Sequence, residues 1–504
     1  MSAREPMTYD YSLLPPELWG LVLQCLSRTD QRSCLSVCPL FRDLSRALLF
    51  SRVVIRFGMW KAHERDVGWV ITDLDLMRRR GDVNTEILQH IARDTQFARL
   101  VRTVSVRAYD AMEWSDEDDI QNIISALKAM VNLQSFQWYG SRPPLPSTVL
   151  DALAQTCGST VLELDVFGVL ASDEDASRYM AQFRNLQTLS LAGNLRHLPI
   201  YTRSDPGAML KTCIKNAPDT IRSLSMWGHS VWATPLHVLS GLHTLCLIAP
   251  GGLDGIGTIF ALCAQLRTLD IVTDSTECAP QMRAALEAAP TDALPHLTSF
   301  RFVSRGPEIV IVDLGPFAAF LRGRREMRRL DLGFHAPFEG LDDYARLLDI
   351  IAGLPQLEVV GLVLLGMDAF TQEHLRLLDA SLPRGMSALL LSWAFEVDGA
   401  VLTRDWAAML RRRPSLGYVH ILDYGGPLDL RDALLQDPPQ ALKLVGYGNQ
   451  VCNVERDWVT GGSAYGPRWG EEAIGFATEV EFGCADWAWL LRLANWYGRA
   501  LRVW

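Results

Sequence analysis

LQTLSLAGN, residues 186–194, carries leucine at its first, fourth and sixth positions and asparagine at its ninth. Because side chains alternate between the two faces of a β-strand, the leucines at the fourth and sixth positions point to the same face. The third, fifth and seventh positions point to the opposite face. We therefore expect a short strand that buries one face in a core and presents the other.

The same apolar-x-x-apolar-x-apolar pattern recurs along most of the chain. Its copies begin at Val101, Leu133, Val161, Leu186, Ile221, Leu242, Leu266, Leu297, Met327, Leu357, Met386, Leu416 and, weakly, Pro439. The intervals between copies average about 28 residues, which lies within the range of roughly 20–29 residues typical of leucine-rich repeats. The copies resemble leucine-rich repeats of the ribonuclease-inhibitor type, although only the copy at Leu186 keeps the asparagine of that family.

Amphipathic helices are predicted between the strands. Ser115 and Asp118 have capping-box spacing, and apolar side chains then form a helical stripe from Ile120 to Met130. Similar stripes cover Tyr344–Ile351 and His374–Leu382. Since one strand–helix unit cannot bury its own apolar face, neighbouring units are expected to stack into a curved solenoid with a parallel sheet on its concave side. A series of unrelated α/β units is the alternative.

The N-terminal segment Leu13–Phe57 has a different organisation, with three short predicted helices. The first begins at Pro15 and Pro16, where a missing N–H has no consequence. Asp30 is placed to cap the second helix, and Pro39 precedes the third. A unit near the limit of roughly 40 residues seldom folds unaided, and its apolar positions exceed what it can bury. Part of this apolar surface is expected to need a partner.

Three short motifs occur in this segment in order: Leu14-Pro15-x-Glu17-Leu18, Val37-Cys38 and Phe41-Arg42-x-Leu44. They resemble the F-box, the module by which substrate adaptors dock onto the Skp-type subunit of cullin–RING ubiquitin ligases. The chain departs from the family at Gln31, where leucine is frequent, and at Phe41, where tryptophan is frequent. The resemblance implies adaptor contacts by Leu14, Pro15, Leu18, Leu26, Val37, Cys38 and Phe41. An ordinary helical cap on a larger fold is the alternative.

These patterns predict an α/β chain: a three-helix F-box followed by a leucine-rich-repeat solenoid. The expected divisions are a disordered N-terminus (1–10), the F-box (11–57), a helical joint (58–100), the solenoid (101–445) and a Trp-rich C-terminal cap (446–504). The joint contains a helical stretch, Thr85–Ala92. The cap contains Trp458, Trp469, Trp487, Trp489, Trp496 and Trp504. These tryptophans are expected to pack on the last repeat, with a second partner-binding patch as the alternative.

Composition favours a protein of the cytoplasm, the nucleus or both. The N-terminus lacks the apolar centre of a signal peptide, and no uncharged apolar stretch approaches roughly 18 residues. The 10 cysteines form no C-x-x-C pair, which is typical of a reducing compartment. A net charge of −10 argues against nucleic acid as the main partner. We therefore expect neither a nucleic-acid partner nor a membrane.

Catalytic signatures are missing from the sequence. It contains no G-x-x-x-x-G-K-[ST], H-E-x-x-H or G-x-S-x-G motif, and Gly251–Gly257 lacks the spacing of a phosphate-binding loop. Cys157, Cys213 and Cys263 each end an apolar stripe, which predicts buried small side chains instead of nucleophiles. The chain is therefore expected to be no enzyme and to hold no cofactor or metal.

Together the two regions resemble fungal F-box substrate receptors. The resemblance implies a subunit of a Skp/cullin/F-box ubiquitin ligase, which binds the Skp-type adaptor and through it a cullin. Its solenoid would recruit an unknown protein substrate for ubiquitin-dependent degradation. A leucine-rich-repeat scaffold or inhibitor without a ligase role is the alternative.

Strand alternation also predicts which side chains meet the substrate. The aromatic residues Tyr139, Phe167 and Trp227 take the seventh position of their strands and would form an exposed row of the kind that dominates interfaces. Further predicted substrate contacts on the same face are Asp270, Arg301, Asp331, Tyr418 and His420. The alternative is that the aromatic side chains pack internally, because a one-residue register error reverses every side chain.

Overall fold

The computed structural model describes residues 14–26, 28–58, 74–109, 117–142, 145–167, 178–191, 206–216, 219–228, 230–273, 275–304, 313–334, 341–364, 369–393, 396–397, 403–423, 430–448, 450–457, 461–469 and 482–491. The chain divides into two compact units, one ending at Thr220 and one beginning at Ile221. Within the described ranges, no helix is both long and apolar enough to cross a lipid bilayer.

The first unit begins with three helices and continues as alternating strands and helices. Its helices are α1 (Pro16–Gln24), α2 (Arg28–Cys34), α3 (Pro39–Leu49), α4 (Leu74–Arg93), α5 (Thr95–Ala98), α6 (Glu117–Ala129), α7 (Ser147–Cys157) and α8 (Pro206–Asn216). Its strands are β1 (Arg52–Gly58), β2 (Thr103–Tyr109), β3 (Ser135–Arg142), β4 (Glu163–Phe167) and β5 (Thr188–Leu191). They pair in chain order, all parallel.

The second unit repeats the same alternation. Its strands are β6 (Ser223–Trp227), β7 (Thr244–Ile248), β8 (Thr268–Thr273), β9 (Ser299–Ser304), β10 (Arg329–Phe334), β11 (Val359–Leu364), β12 (Ala369–Phe370), β13 (Ala388–Trp393), β14 (Glu396–Val397), β15 (Tyr418–Asp423), β16 (Leu444–Tyr447), β17 (Gln450–Arg456) and β18 (Ser463–Arg468). The main sheet is parallel from β6 to β16, omits the separate pair β12–β14, and ends with the antiparallel strands β17 and β18.

Short helices connect the strands of the second unit. They are a 3₁₀ helix (Ser230–Ala233), α9 (Leu236–Ser240), α10 (Ile256–Leu262), α11 (Cys278–Ala288), α12 (Gly315–Leu321), α13 (Leu341–Ala352), α14 (Gln372–Ser381), α15 (Thr403–Arg411) and α16 (Leu430–Gln436). Residues 485–491 are also helical. The longer elements confirm the predicted helices near 344 and 374, and α14 starts with a capping box between Thr371 and His374.

The repeat pattern locates the strands accurately. Each of the twelve copies from Val101 to Leu416 is followed by a strand that begins two residues later. In β10, Leu330 and Leu332 are fully buried, and Phe334 on the same face packs against Phe317 of α12 with ring centroids 5.1 Å apart. The fourth and sixth positions therefore face the helices. The α/β class and the parallel repeat sheet are confirmed.

Two details of the prediction are wrong. The thirteenth copy is shifted: β16 begins at Leu444, so the pattern starts at Leu442 and not at Pro439. Asp30 lies in the first turn of α2 instead of capping it. Three strands were not predicted: β1 lies inside the range predicted for the F-box, and β17 and β18 lie inside the range predicted for the Trp-rich cap. Ser115, the predicted cap of α6, lies outside the described residues.

Helix α4 holds the first strand of the sheet through one buried amide. Asn84 Nδ2 donates to the Arg56 carbonyl at 2.7 Å, and the Arg56 N–H donates to Asn84 Oδ1 at 3.4 Å. Arg56 lies in β1, whose strand partner is β2. An edge strand presents backbone groups without a ladder partner, and such groups are costly when buried. Asn84 satisfies both groups of one residue from within α4.

We expect Asn84→Leu to lower the free energy of unfolding by about 1–3 kcal/mol, because the two backbone groups of Arg56 lose their buried partner. The measurement is chemical denaturation followed by circular dichroism. Glu86→Leu, at an exposed position of the same helix, is the matched control and should change stability by less than about 0.5 kcal/mol. Equal effects of the two substitutions would contradict the assignment.

Candidate functional site

Helices α1 to α3 leave a group of large apolar side chains exposed. Of the residues in α1 only Leu23 is buried. The exposed side chains are Leu14, Leu18, Leu21, Val22 and Val37, with 39–57% of their surface accessible. Five exposed large apolar side chains between residues 14 and 37 are uncommon on a surface that contacts only water, and they mark an interaction site.

Four of the seven predicted adaptor contacts, Leu14, Pro15, Leu18 and Val37, are exposed. The other three, Leu26, Cys38 and Phe41, are partly buried. Sequence reasoning omitted Leu21 and Val22 from the contacts, although their place beside Leu18 on an apolar helix was a usable signal.

Cys38 and Phe41 have internal roles as well. The Cys38 thiol accepts a hydrogen bond from the Phe41 N–H at 3.4 Å and so caps α3. The Phe41 ring packs against Trp19 of α1, with centroids 4.9 Å apart. These contacts fix the angle between α1 and α3 and therefore the positions of the exposed side chains.

Gln31, where the family often has leucine, is turned inward. Its side chain is 8% exposed, and Nε2 donates to the carbonyls of Leu23 at 2.9 Å and Leu26 at 3.3 Å. The last carbonyls of a helix have no partner within the helix. Gln31 supplies that partner for α1, so this departure from the family pattern changes internal packing and leaves the exposed group unchanged.

The face of the sheet turned away from the helices is called the front face below; it carries the third and fifth positions of each repeat. Five predicted substrate contacts lie on the front face of the second unit, as alternation predicts: Asp270, Arg301, Asp331, Tyr418 and His420. None is more than 6% exposed. The structure buries these side chains, where exposure was expected, and residues 482–491, called the C-terminal segment below, contact three of them, Asp270, Arg301 and Tyr418.

Trp489 of the C-terminal segment contacts a cluster of buried charges. Its ring lies 4.0 Å from the guanidinium carbon of Arg301, and its indole N–H donates to Asp270 Oδ2 at 3.0 Å. Arg301 Nη2 donates to the Trp489 carbonyl at 2.7 Å, and Arg301 Nε pairs with Asp331 at 2.7 Å. Arg301 thus lies between two carboxylates on neighbouring strands and meets an aromatic face.

Burial governs the electrostatics of this cluster. Desolvation raises the pKa of Asp270, while Arg301 and the indole N–H of Trp489 act in the opposite direction. Gly361 on the adjacent strand provides the room, since a Cβ there would overlap the Asp331 carboxylate. The absence of a side chain at Gly361 therefore lets the Asp331 carboxylate take its place beside Arg301.

Trp487 lies over the second polar group of the front face. Its ring is 6.1 Å from that of Tyr418, and Gly417 leaves space for it because a Cβ there would lie 2.5 Å from the indole. His420 Nε2 is 2.9 Å from the carbonyl of Gly448, and Nδ1 is 2.7 Å from the Tyr418 hydroxyl. A carbonyl only accepts, so Nε2 carries the proton and Nδ1 accepts from Tyr418.

The first half of the C-terminal segment makes two further contacts. Asp486 pairs with Arg329 at 2.6 Å and lies 3.5 Å from Arg328. Phe482 stacks on Trp469, with centroids 5.4 Å apart. In the second half, Ala488, Leu490 and Leu491 are buried against apolar front-face side chains that include Val359, Leu390 and Leu444.

The three aromatic residues predicted to form a row lie in two units, and each is described by itself. Tyr139 is half-buried in the first unit, and its hydroxyl donates to Asp165 Oδ2 at 2.8 Å. Trp227 is half-buried at the end of β6, and its indole N–H has no acceptor among the described residues. The side chain of Phe167 lies outside the described part of the chain.

Thiol chemistry is disfavoured at the three cysteines considered from the sequence. Desolvation raises the pKa of Cys157 to about 11 and of Cys213 and Cys263 to about 12, so each thiol stays protonated near neutral pH. In the part of the chain that the structure describes, no three His, Cys, Asp or Glu side chains are grouped so as to hold a metal ion.

Comparison with known proteins identifies the N-terminal module. The family model of the F-box domain matches residues 11–52, which confirms the resemblance noted from the motifs. The chain therefore contains an F-box domain followed by strand–helix repeats of the leucine-rich type. No curated protein matches the chain.

Two solved structures are similar to this chain at low identity. The crystal structure of the Rad7 and Elc1 complex from yeast is 12% identical, with a TM-score of 0.45, and the match covers 84% of this chain and 96% of that one. The TLR13–ssRNA13 complex is 13% identical, with a TM-score of 0.30, and the match covers 73% and 53% of the two chains. Neither structure is similar enough to carry functional information to this chain.

His420 makes the stability of the second unit depend on pH. Burial lowers its pKa to about 4, whereas an unfolded chain has a histidine pKa of about 6.5. The stability that this difference contributes is complete above the unfolded value and is lost as the pH falls toward 4. We expect about 2 kcal/mol of loss between pH 7 and pH 5, measured by urea denaturation. His420→Gln keeps a donor for Gly448 and should remove most of this slope; an unchanged slope would contradict the assignment.

Proposed function

We propose that this protein is a substrate receptor of a Skp/cullin/F-box ubiquitin ligase. The match of residues 11–52 to the F-box domain carries the proposal, and the exposed apolar side chains of α1 and the α2–α3 turn support it. F-box domains bind Skp-type adaptors, and an adaptor in turn connects the receptor to a cullin. The apolar group provides the surface that such binding requires.

The adaptor contact follows the physics of other protein interfaces. A few large side chains supply most of the binding free energy when they enter apolar pockets of the partner. Leu18 and Val22 lie one turn apart on α1, so both can enter the same groove. Leu14, Pro15 and Val37 extend the surface. Leu26, Cys38 and Phe41 complete the predicted set and also hold α1 and α3 together.

The repeats are proposed to recruit the substrate. A receptor of this kind performs no bond chemistry itself; it raises the local concentration of the substrate near a ubiquitin-charged enzyme that the rest of the complex supplies.

Tyr139, Phe167 and Trp227 are retained as proposed substrate contacts, the first two in the first unit and Trp227 in the second. Tyr139 and Trp227 are half-buried, so each presents part of an aromatic ring. The indole N–H of Trp227 is itself buried, so the accessible edge of the ring is the part that a substrate would contact.

A scaffold or inhibitor without a ligase role is the second candidate. Repeat proteins of this type present extended binding surfaces whatever their biological role, so the repeats alone favour neither function. The F-box separates the two candidates, because a scaffold would not bind a Skp-type adaptor.

We expect Leu18→Asp with Val22→Asp to weaken co-purification of the Skp-type adaptor at least about 100-fold, since two charges would enter an apolar contact. The matched control is Leu236→Asp with Leu262→Asp, two comparably exposed leucines outside the F-box, which should bind the adaptor like the wild type. Adaptor binding by both variants, or by neither when both are folded, would contradict the proposal.

We expect Trp227→Ala and Tyr139→Ala each to reduce substrate capture at least about tenfold while adaptor binding stays unchanged. Capture is measured by quantitative mass spectrometry of proteins bound to the adaptor-loaded receptor under proteasome inhibition. Tyr139→Phe separates the ring from the hydroxyl, which is engaged with Asp165. Loss of thermal stability in the alanine variants, with no selective loss of captured proteins, would show that both rings belong to the core.

A further inference from the structure

The C-terminal segment is held by contacts with the front face. Residues 485–491 are helical, and Asp486, Trp487 and Trp489 each contact a residue of that face. These contacts fix the position of the segment. Asp270 and Arg301, which it contacts, are 219 and 188 residues away in sequence from Trp489.

The front face beneath the segment has the composition of a recognition surface. Apolar side chains dominate it: Val303, Val359, Ala388, Leu390, Tyr418 and Leu444. Asp270, Arg301 and Asp331 lie at one side of them and are buried, and the segment contacts Asp270 and Arg301 directly. Buried ion pairs add little stability compared with apolar side chains of the same size, and their best-attested role is to specify a partner or a register. Interfaces combine the same elements, an apolar centre and a few directional polar groups.

Each residue type in the segment meets a matching group. The Asp486 carboxylate pairs with Arg329, and the Trp489 ring stacks on Arg301 while its N–H reaches Asp270. The Trp489 carbonyl accepts from Arg301, and Leu490 and Leu491 are fully buried. Phenylalanine cannot donate to Asp270, and a lysine at 486 would face Arg329 and Arg328. The surface thus discriminates at positions 486 and 489 and encloses the aliphatic side chains at 490 and 491.

We propose that the front face of β8–β16 is a peptide-recognition surface which the C-terminal segment occupies as an internal pseudo-ligand. Its external ligand is a segment of the protein substrate with the same chemistry, an acidic residue followed three positions later by tryptophan and then by two aliphatic residues. This inference rests on the proposed receptor function, because it assigns to the substrate the segment that displaces residues 482–491.

Competition sets the conditions for this exchange. A segment held within the same chain has an effective concentration of the order of millimolar. A free peptide with identical contacts therefore reaches half-displacement only near that concentration. A substrate that makes additional contacts elsewhere on the repeats would displace the segment at a lower concentration. Weakening the contacts of the segment itself would have the same effect.

The test uses the full chain and a fluorescent peptide with the sequence of residues 482–491, with serine in place of Cys484. In the variant Asp486→Ala with Trp489→Ala, the internal anchor is lost and the front face is intact. We expect this variant to bind the peptide at least about tenfold more tightly than the wild type. A peptide with Lys at the 486 position should bind it at least about tenfold more weakly than the parent peptide. Equal, weak binding of the parent peptide to the folded variant and to the wild type would overturn the proposal and leave the segment as a structural cap.

A charge exchange makes the test specific. Adding Arg329→Glu to the anchor variant should weaken binding of the parent peptide and restore binding of the peptide that carries Lys at the 486 position. Failure of this restoration, with the protein folded, would overturn the assigned pairing. Arg329 is 21% exposed, so the substitution does not bury a charge completely.

A second measurement covers the outcome in which the anchor variant does not fold. In the wild type, the peptide at several millimolar should accelerate amide hydrogen exchange in residues 486–491 and leave β8 to β11 unchanged. Unchanged exchange at 486–491 would overturn the proposal. Adaptor co-purification by the wild type tests the F-box proposal separately; its absence would speak against that proposal and not against the peptide surface.

Discussion

Burial of the fourth and sixth side chains of every repeat against the helices is the constraint on which the rest of the structure depends. Leu330 and Leu332 in β10 have no exposed surface, and the strands on either side repeat the arrangement in register. A single strand–helix pair cannot hide this face, so the next repeat must supply the missing contacts. Because successive side chains of a strand point to opposite faces, the third and fifth positions must then lie on the front face.

This constraint is local, and so it is visible in the sequence. Twelve strand positions follow from the apolar spacing alone, and helices such as α13 and α14 follow from their stripes. The shifted copy at Leu442 shows the limit of the approach: Pro439 is apolar and begins a similar spacing, but proline lacks the N–H that a central parallel strand uses. Strand β1 was missed because a run of Val, Ile and Phe after a helix does not by itself distinguish a strand from a continued helical module.

The exposure of the front face could not be predicted in the same way. Alternation correctly places Arg301 and Tyr418 on that face, but their burial depends on Trp487 and Trp489, which are distant in sequence and follow no repeat pattern. The abundance of tryptophan near the C-terminus was visible, yet composition does not show which surface a segment covers. The F-box behaves differently: its exposed leucines and valines were predicted to need a partner because the module is too small to bury them, and they are exposed.

The buried charges explain why the C-terminal segment carries tryptophan at 489. An aliphatic side chain would fill the space beside Arg301 but would leave Asp270 without the indole N–H, and an unsatisfied buried group costs about 1–3 kcal/mol. Tyrosine or phenylalanine would keep the cation–π contact and place no N–H at the same point. Because desolvation already raises the pKa of Asp270, every donor that reaches it matters for keeping the carboxylate charged beside Arg301. A front face filled only with apolar residues would accept many segments, whereas the Asp270–Arg301–Asp331 cluster restricts the choice to a side chain with an aromatic face and a donor at its edge.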